Sequence, residues 1–491
     1  MPNGLADLER QAHADLHAIR FPDRDWVVPR TGPNGEHVYD VIIVGAGHCG
    51  LTAAFALTRR RITNIRILES NEPGRQGPWK TYGRMHTLRS PKHFNGPDLD
   101  IPSLTCQAWY TAQHGEEAWH RMTKLPREDW QDYLSWFRKV TNLSVSYQTR
   151  VTGLTPLPHG LLRIYTLTNA GGGHLLARKV VFATGADGSG GWTVPQEIRA
   201  NIPSSAYNQI ADDIDFTQLA GKTIGVLGGG ASAYDNAATA LEQGAKHVTL
   251  FFRRPHLHRI NPHHWTEFAG FLGHFRDLPD AWRWRFMRHI LPLNEPPPPG
   301  TFRRAIAHPN FKLVLGSSWA NVRYEHGLIR LTAGEQAYTF DHLLIAIGLT
   351  QDLRLRPELA TIEPVIARWK DRYTPPESET HEGLSEFPYL GPNLEYVERT
   401  PGTAPYLADI YNFSAAATVS HGPSGASING MKQAAIRLAD GICRDLFEAS
   451  VEIHYQDLLN YATPELDVPW PVAANHAPSS EIFEPAALNR S

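Results

Sequence analysis

An α/β fold of two parallel-sheet units is predicted for this chain of 491 residues, on three observations. An apolar strand, a glycine turn and a helix follow one another across Tyr39–Thr58, and a second strand ends at Glu69. The same order returns from Lys222 to Arg254. A strand-like segment closing on glycine then follows each copy, VVFATG ending at Gly185 and HLLIAIG ending at Gly348. Strands alternating with helices in this way specify parallel sheets joined by crossover helices, the Rossmann-like class.

Residues 1–38 read as an N-terminal extension. It opens with mixed acids and bases and no apolar segment, so it is not a secretory signal. Leu5, Leu8, Ala12 and Leu16 fall along one face of an amphipathic helix. Residues 39–204 are expected to form the first part of a dinucleotide-binding domain. Gly45, Gly47 and Gly50 make a G-x-G-x-x-G turn, with Ala46, His48 and Cys49 between them. The first glycine allows the tight turn, the second lets backbone approach a pyrophosphate, and the third lets helix and strand pack closely. The helix start offers unpaired N–H groups and a positive dipole end to the phosphates. Glu69 is placed to accept from a ribose 2′-OH, with Ser70 beside it. These features together predict a bound dinucleotide.

Residues 205–340 are expected to form a second dinucleotide-binding domain, inserted in the first and carrying an aromatic helical stretch. Gly228, Gly230 and Ala233 repeat the turn as G-x-G-x-x-A, with Ala231 and Ser232 inside it. The position equivalent to Glu69 is Phe252, followed by Arg253 and Arg254. A carboxylate there repels a 2′-phosphate, whereas arginines bind one, so NADPH is favoured over NADH. One turn with an acid and one with arginines implies two different dinucleotides. FAD with NADPH is the pair in which one gives hydride to the other. Trp265, Phe268, Phe271, Phe275, Trp282 and Trp284 keep partial helical spacing, as core or as a lid over a substrate; Pro296–Pro299 follows as a stiff linker. Residues 341–464 are assigned to the second part of the first domain, and 465–491 to a polar surface tail.

Composition narrows the function. A net charge of −3 with 20% charged residues gives no reason to expect nucleic acid or an anionic membrane as partner. No apolar run approaches the ~20 residues that span a bilayer. The three cysteines, Cys49, Cys106 and Cys443, lie far apart and form no C-x-x-C pair. A disulfide framework and a redox dithiol are thereby excluded, and a cytoplasmic setting is the default expectation. A homo-oligomer is compatible with all of this.

The chain resembles the class B flavoprotein monooxygenases, the superfamily of flavin-containing, N-hydroxylating and Baeyer–Villiger monooxygenases. The resemblance spans roughly Tyr39 to Phe447. It is carried by the two glycine turns, by Gly77-Pro78-Trp79 where relatives have a G-G-x-W-like element, and by Ala183-Thr184-Gly185. Ala346-Ile347-Gly348 stands where relatives have a second A-T-G, and the C-terminal loop and helix complete the match. It implies that NADPH reduces FAD, that O2 adds to reduced flavin as a C4a-hydroperoxide, and that one oxygen atom passes to a small organic substrate. The Baeyer–Villiger fingerprint needs a histidine before the second glycine turn. None occurs between His174 and His247; Asn208 and Gln209 stand near that place. Oxygenation at N or S is therefore expected ahead of Baeyer–Villiger chemistry, with an NAD(P)H-dependent flavin reductase or electron-transfer protein as the alternative.

The resemblance also nominates site residues. Lys92 is a candidate to reach flavin, nicotinamide amide or a substrate carboxylate; a surface lysine is the plain reading. Asn208 and Gln209 are candidate active-site lining. Arg84 and Arg89 pair either with phosphates or with Asp98 and Asp100. Trp79 is placed near the flavin or in ordinary core, Val151 is counted with the cofactor-binding residues, and the family puts backbone–flavin contacts at Ser424, Ala426 and Ser427. His256, His258, His263 and His264 cluster without a carboxylate or cysteine to complete a ligand set, so no metal is expected.

Overall fold

A computed structural model describes residues 4–94, 96–293, 295–422, 427–463 and 465. Its seventeen strands are β1 Val38–Val44, β2 Ile65–Leu68, β3 Val145–Ser146, β4 Arg150–Leu157, β5 Leu161–Thr168, β6 Gly171–Phe182, β7 Gly190–Trp192, β8 Tyr207–Gln209, β9 Thr223–Leu227, β10 His247–Phe252, β11 Phe311–Leu315, β12 Trp319–Glu325, β13 Leu328–Ala333, β14 Gln336–Phe340, β15 His342–Ile345, β16 Leu349–Gln351 and β17 Ile410–Asn412.

The first sheet runs β3-β2-β1-β6-β5-β4, with β17 also paired to β6. β1 is parallel to β2 and to β6, because the crossover from β1 to β2 is the glycine-led helix His48–Thr58. β6 serves two neighbourhoods. Its first half pairs antiparallel with β5, and its second half lies parallel to β1 and β17. β1 is buried on both faces, which is why it reads as a continuous apolar run rather than an alternating one. Its core continues into the aromatic helix Arg127–Val140 and the C-terminal helix Met431–Glu448. The expected N-terminal helix is Leu5–Ala18, seated on Leu8 and Ala12.

The second sheet is wholly parallel, β11-β10-β9-β15-β8, with the second glycine-led helix, Ala231–Glu242, as its crossover. An antiparallel meander β12-β13-β14 packs against it through Val322, Ile329, Leu331 and Phe340. The chain crosses between the units twice, at β7 and β16, which pair antiparallel. Only glycine fits at Gly190, where a Cβ would lie 1.9 Å from the Thr350 carbonyl oxygen.

One boundary is corrected. β15 was assigned with residues 341–464 to the first unit, yet it lies between β9 and β8 in the second sheet. Ile198 and Ile202, expected in the first unit, likewise pack in the second unit's core beside Ala206. The misreading has a physical source: both units end a parallel strand on Ala-x-Gly, so Ala346-Ile347-Gly348 looked like a second piece of the first sheet. Pro299 also departs from expectation, since it opens the helix Pro299–Ile306 rather than lying in a linker.

Candidate functional site

Each sheet presents a glycine turn at the C-terminal end of its central strand, and the two turns are built alike. Gly45 takes φ +105°, and a Cβ on it would lie 2.5 Å from the Ala183 carbonyl oxygen. Gly228 takes φ +142°, and its Cβ would lie 2.1 Å from the Ala346 carbonyl oxygen. The two Ala-x-Gly strand ends thus press against the two turns, and both positions exclude any side chain. Gly45 N–H donates to Leu68 O at 2.7 Å, and Gly228 N–H to Phe251 O at 3.1 Å.

At the third glycine position the copies differ. A Cβ on Gly50 would meet the Gly45 carbonyl oxygen at 1.9 Å, whereas Ala233 carries its methyl fully buried. The middle glycines are the informative ones. At Gly47 and at Gly230 a Cβ would meet no atom within 4 Å. Each is the N-cap of its helix, and neither helix has a side-chain cap. Open space over uncapped helix N–H groups is the shape a dinucleotide pyrophosphate fills.

The acid of the first turn is buried and engaged. Glu69 accepts from Ala46 N–H at 2.9 Å and from Asn71 N–H at 2.8 Å, so it ties the turn to the end of β2. A carboxylate has about four acceptor sites, which leaves capacity for a ribose hydroxyl. Ser70 beside it is exposed. At the second turn the ring of Phe252 takes that place, and a Cβ on Gly229 would fall 1.9 Å from it. Arg253 points to solvent, while Arg254 is held by the His258 ring and by Pro292 O at 2.5 Å.

Around the first turn, Gly77 takes φ +68°, and Trp79 is buried with its ring centroid 6.1 Å from that of His48. The Trp79 indole N–H is buried without a protein acceptor, an orphan donor beside the open cradle. Thr184 and Gly185 follow directly on β6, and Ala415 N–H donates to Gly185 O at 3.1 Å. Ser427 precedes the C-terminal helix; Ser424 and Ala426 lie outside the described residues. Val151 is buried in β4, paired with Thr166.

Several nominated side chains do other work. Lys92 donates to the carbonyl oxygens of Trp119 at 2.7 Å, Met122 at 2.8 Å and His120 at 3.5 Å. Its three N–H groups thus cap the end of the short helix Glu116–Arg121. Arg84 donates to Thr81 O at 2.5 Å and Asp212 O at 3.4 Å and covers the Phe216 ring. Neither Arg84 nor Arg89 pairs with the expected aspartates: Asp98 accepts from Gly96 and Asp100 N–H, and Asp100 pairs with Lys432. Asn208 bonds His342 Nε2 at 2.8 Å and Asp212 at 3.3 Å. Burial depresses the His342 imidazole to about 4, so it stays neutral across physiological pH. Gln209 accepts from Ala211 N–H at 2.5 Å, leaving its own buried amide N–H2 unpartnered. Both residues therefore shape the turn after β8, at the edge of the second sheet.

Sequence reading nominated Arg89 but not the charged side chains that gather around it between the units. Arg89, Lys124, Asp235 and Glu295 converge there, and their separation along the chain gave no local signal. The exposed rings of Trp265, Phe268 and Trp282 and the buried rings of Phe271, Phe275 and Trp284 divide the aromatic run between surface and core. Glu267 in that stretch accepts from Asn429 Nδ2 at 2.7 Å, joining it to the C-terminal loop. Among the described residues no group of three or more acids, histidines and cysteines could hold a metal. No helix among them is long and apolar enough to cross a membrane. The three cysteines form no disulfide, and burial raises the thiols of Cys49 and Cys106, which disfavours thiolate chemistry.

Comparison with known proteins agrees with this architecture. Residues 42–267 match the family model described as pyridine nucleotide-disulphide oxidoreductase. The chain is 42% identical over 467 residues to the FAD-dependent urate hydroxylase of Xanthomonas campestris pv. campestris, covering 95% of this chain and 98% of that protein. The ornithine hydroxylase of Pseudomonas aeruginosa shares the fold at a TM-score of 0.65 and 16% identity, over 83% of this chain and 100% of that one. The L-lysine 6-monooxygenase of Pseudomonas syringae does so at 0.60 and 16%, over 84% and 99%. Two glycine-edged crevices of unlike polarity, no redox dithiol and full-length likeness to a flavin-dependent hydroxylase lead to one assignment: the chain belongs to the family of that FAD-dependent hydroxylase and is an FAD-dependent oxidoreductase.

Proposed function

We propose that the protein is an NADPH-consuming monooxygenase that oxygenates a urate-like purine. The observation that carries the reading is the 42% identity, across almost the whole of both chains, to a urate hydroxylase. FAD is assigned to the first turn, over Gly47 and beside Glu69, Trp79 and Gly185. The nicotinamide dinucleotide is assigned to the second, over Gly230. FAD supplies, when bound, the two-electron and oxygen chemistry that no side chain here offers. The protein's part is to hold the two dinucleotides and to keep water from the reacting rings. The balance is NADPH, H+, O2 and substrate going to NADP+, water and the mono-oxygenated product.

The test is turnover of the purified flavoprotein with urate under 18O2. Urate-dependent NADPH oxidation, with one labelled oxygen atom in the product, is expected. NADPH oxidation that yields only hydrogen peroxide, for urate and for related purines alike, rejects the substrate class. Oxygenation at N or S is the second reading, favoured by the absence of histidine ahead of the second turn; amines and thioethers in the same assay distinguish it.

Cofactor choice gives a sharper expectation. Arg253 is exposed at the end of β10 with no acid at Phe252, whereas Arg254 is already held by His258 and Pro292. Arg253→Ala is expected to raise KM for NADPH roughly tenfold, the loss of one charge-assisted phosphate contact, and to leave KM for NADH unchanged. Equal effects on both coenzymes, or none, would remove the 2′-phosphate role.

A further inference from the structure

Arg89 belongs to the first unit but reaches into the second. Its backbone is fixed at home: Leu88 N–H donates to Leu125 O at 2.8 Å, and Lys124 Nζ donates to Arg89 O at 2.5 Å. Its guanidinium crosses the cleft to the start of the second glycine-led helix. There it stands 3.4 Å from Ser232 Oγ, 3.7 Å from Asp235 Oδ2 and 3.5 Å from Glu295 Oε2. Charge-assisted N–H···O bonds close to about 2.8 Å, so all three contacts are loose. The Nε–H is buried with no acceptor at all.

Asp235 has closer partners than this arginine. Thr301 Oγ1 donates to it at 2.9 Å and Arg304 at 3.2 Å, both from within the second unit. Arg89 is thus a half-buried cation, aimed at the first turn of a helix with no side-chain cap, beside the space left open over Gly230. Glu295 and Asp235 keep it extended across the cleft without consuming its short-range donors.

We propose that Arg89 is a ligand for the diphosphate of the dinucleotide held at the second glycine turn, supplied from the opposite unit. The proposal rests on the dinucleotide reading of that turn. A diphosphate over Gly230 can draw close to the guanidinium where the carboxylates cannot, because it carries more charge and also faces the helix N–H groups. Coenzyme grip then requires both units, and a coenzyme bound in this way holds the cleft in its closed spacing.

The experiment uses the FAD-loaded enzyme and calorimetric titration with NADP+, ADP-ribose and adenosine 2′-monophosphate, which lacks the diphosphate. Arg89→Ala is expected to raise Kd for NADP+ and ADP-ribose at least tenfold, to leave the monophosphate within twofold, and to keep the flavin absorbance. Arg89→Lys, which preserves the charge, is expected to show a severalfold rise and provides the test should the alanine variant lose its flavin. Glu295→Gln is expected to hold or tighten NADP+ binding, since it removes a competing anion. Unchanged NADP+ affinity in flavin-loaded Arg89→Ala overturns the proposal. So does a Glu295→Gln loss as large as that of Arg89→Ala, which would make the arginine a latch between units. Wild-type enzyme that binds neither NADP+ nor ADP-ribose overturns the dinucleotide reading itself, an outcome separate from the other two.

Discussion

Gly50→Ala is expected to give a colourless protein. A methyl at this position would lie 1.9 Å from the Gly45 carbonyl oxygen, and both atoms are backbone. No rotamer change relieves that contact; the helix must move away from β1 or the turn must open. Either shift spoils the stretch in which Ala46 N–H meets Glu69 and Gly45 presses on Ala183. Overpacking of this kind costs about 3 kcal/mol or more where nothing can yield. FAD is lost as well, and with it the stabilisation that a tightly bound ligand confers by mass action. Flavin content per chain and urea unfolding of the apoprotein are the measurements. A yellow Gly50→Ala protein as stable as wild type would mean that the turn is not packed as described. Gly47→Ala is the internal contrast. Its φ of −72° is open to any residue and its Cβ meets nothing, so the apoprotein keeps its stability while flavin affinity falls.

That contrast also marks how far sequence reaches. The glycine turns were legible because strand, turn and helix lie within some twenty residues, although the strand ends that press on Gly45 and Gly228, at Ala183 and Ala346, lie far along the chain. Glu69 and Phe252 were legible for the same reason, as neighbours of the turn by fixed offset. What the linear pattern does not carry is pairing at long range. β15 looked like part of the first sheet because the two units end their strands alike, and only its hydrogen bonds to β9 and β8 assign it. Lys92 looked free because the carbonyl oxygens that hold it come from residues 119–122. Arg89 and Asp235 meet across 146 positions, and no periodicity in either segment points to the other. Arg254 was taken with Arg253 as a clamp, yet a neighbour four residues on, His258, claims it, and burial together with that cation lowers the imidazole's pKa. Side-chain partnership, even between near neighbours, is settled by packing rather than by spacing.

Gly230→Val is expected to separate the two cofactors. The residue sits in extended backbone, φ −82° and ψ 172°, which valine adopts readily, and its Cβ would project into open space. The fold therefore has no reason to resist the change, and FAD, held by the other sheet, stays bound with an unaltered visible spectrum. The isopropyl group instead fills the volume over the uncapped helix start, where a diphosphate would have to approach the backbone. Kd for NADPH is expected to rise by roughly fiftyfold or more, since both the close approach and its hydrogen bonds are lost. Anaerobic reduction of the flavin by NADPH should slow correspondingly, while reduction by dithionite, which needs no nucleotide site, stays at the wild-type rate. Should NADPH reduce the Gly230→Val enzyme as fast as wild type, the second turn is not where hydride donor and protein meet. The Arg253 and Arg89 assignments would then fail together, because both place their charge on the phosphates of a nucleotide lying over this one glycine.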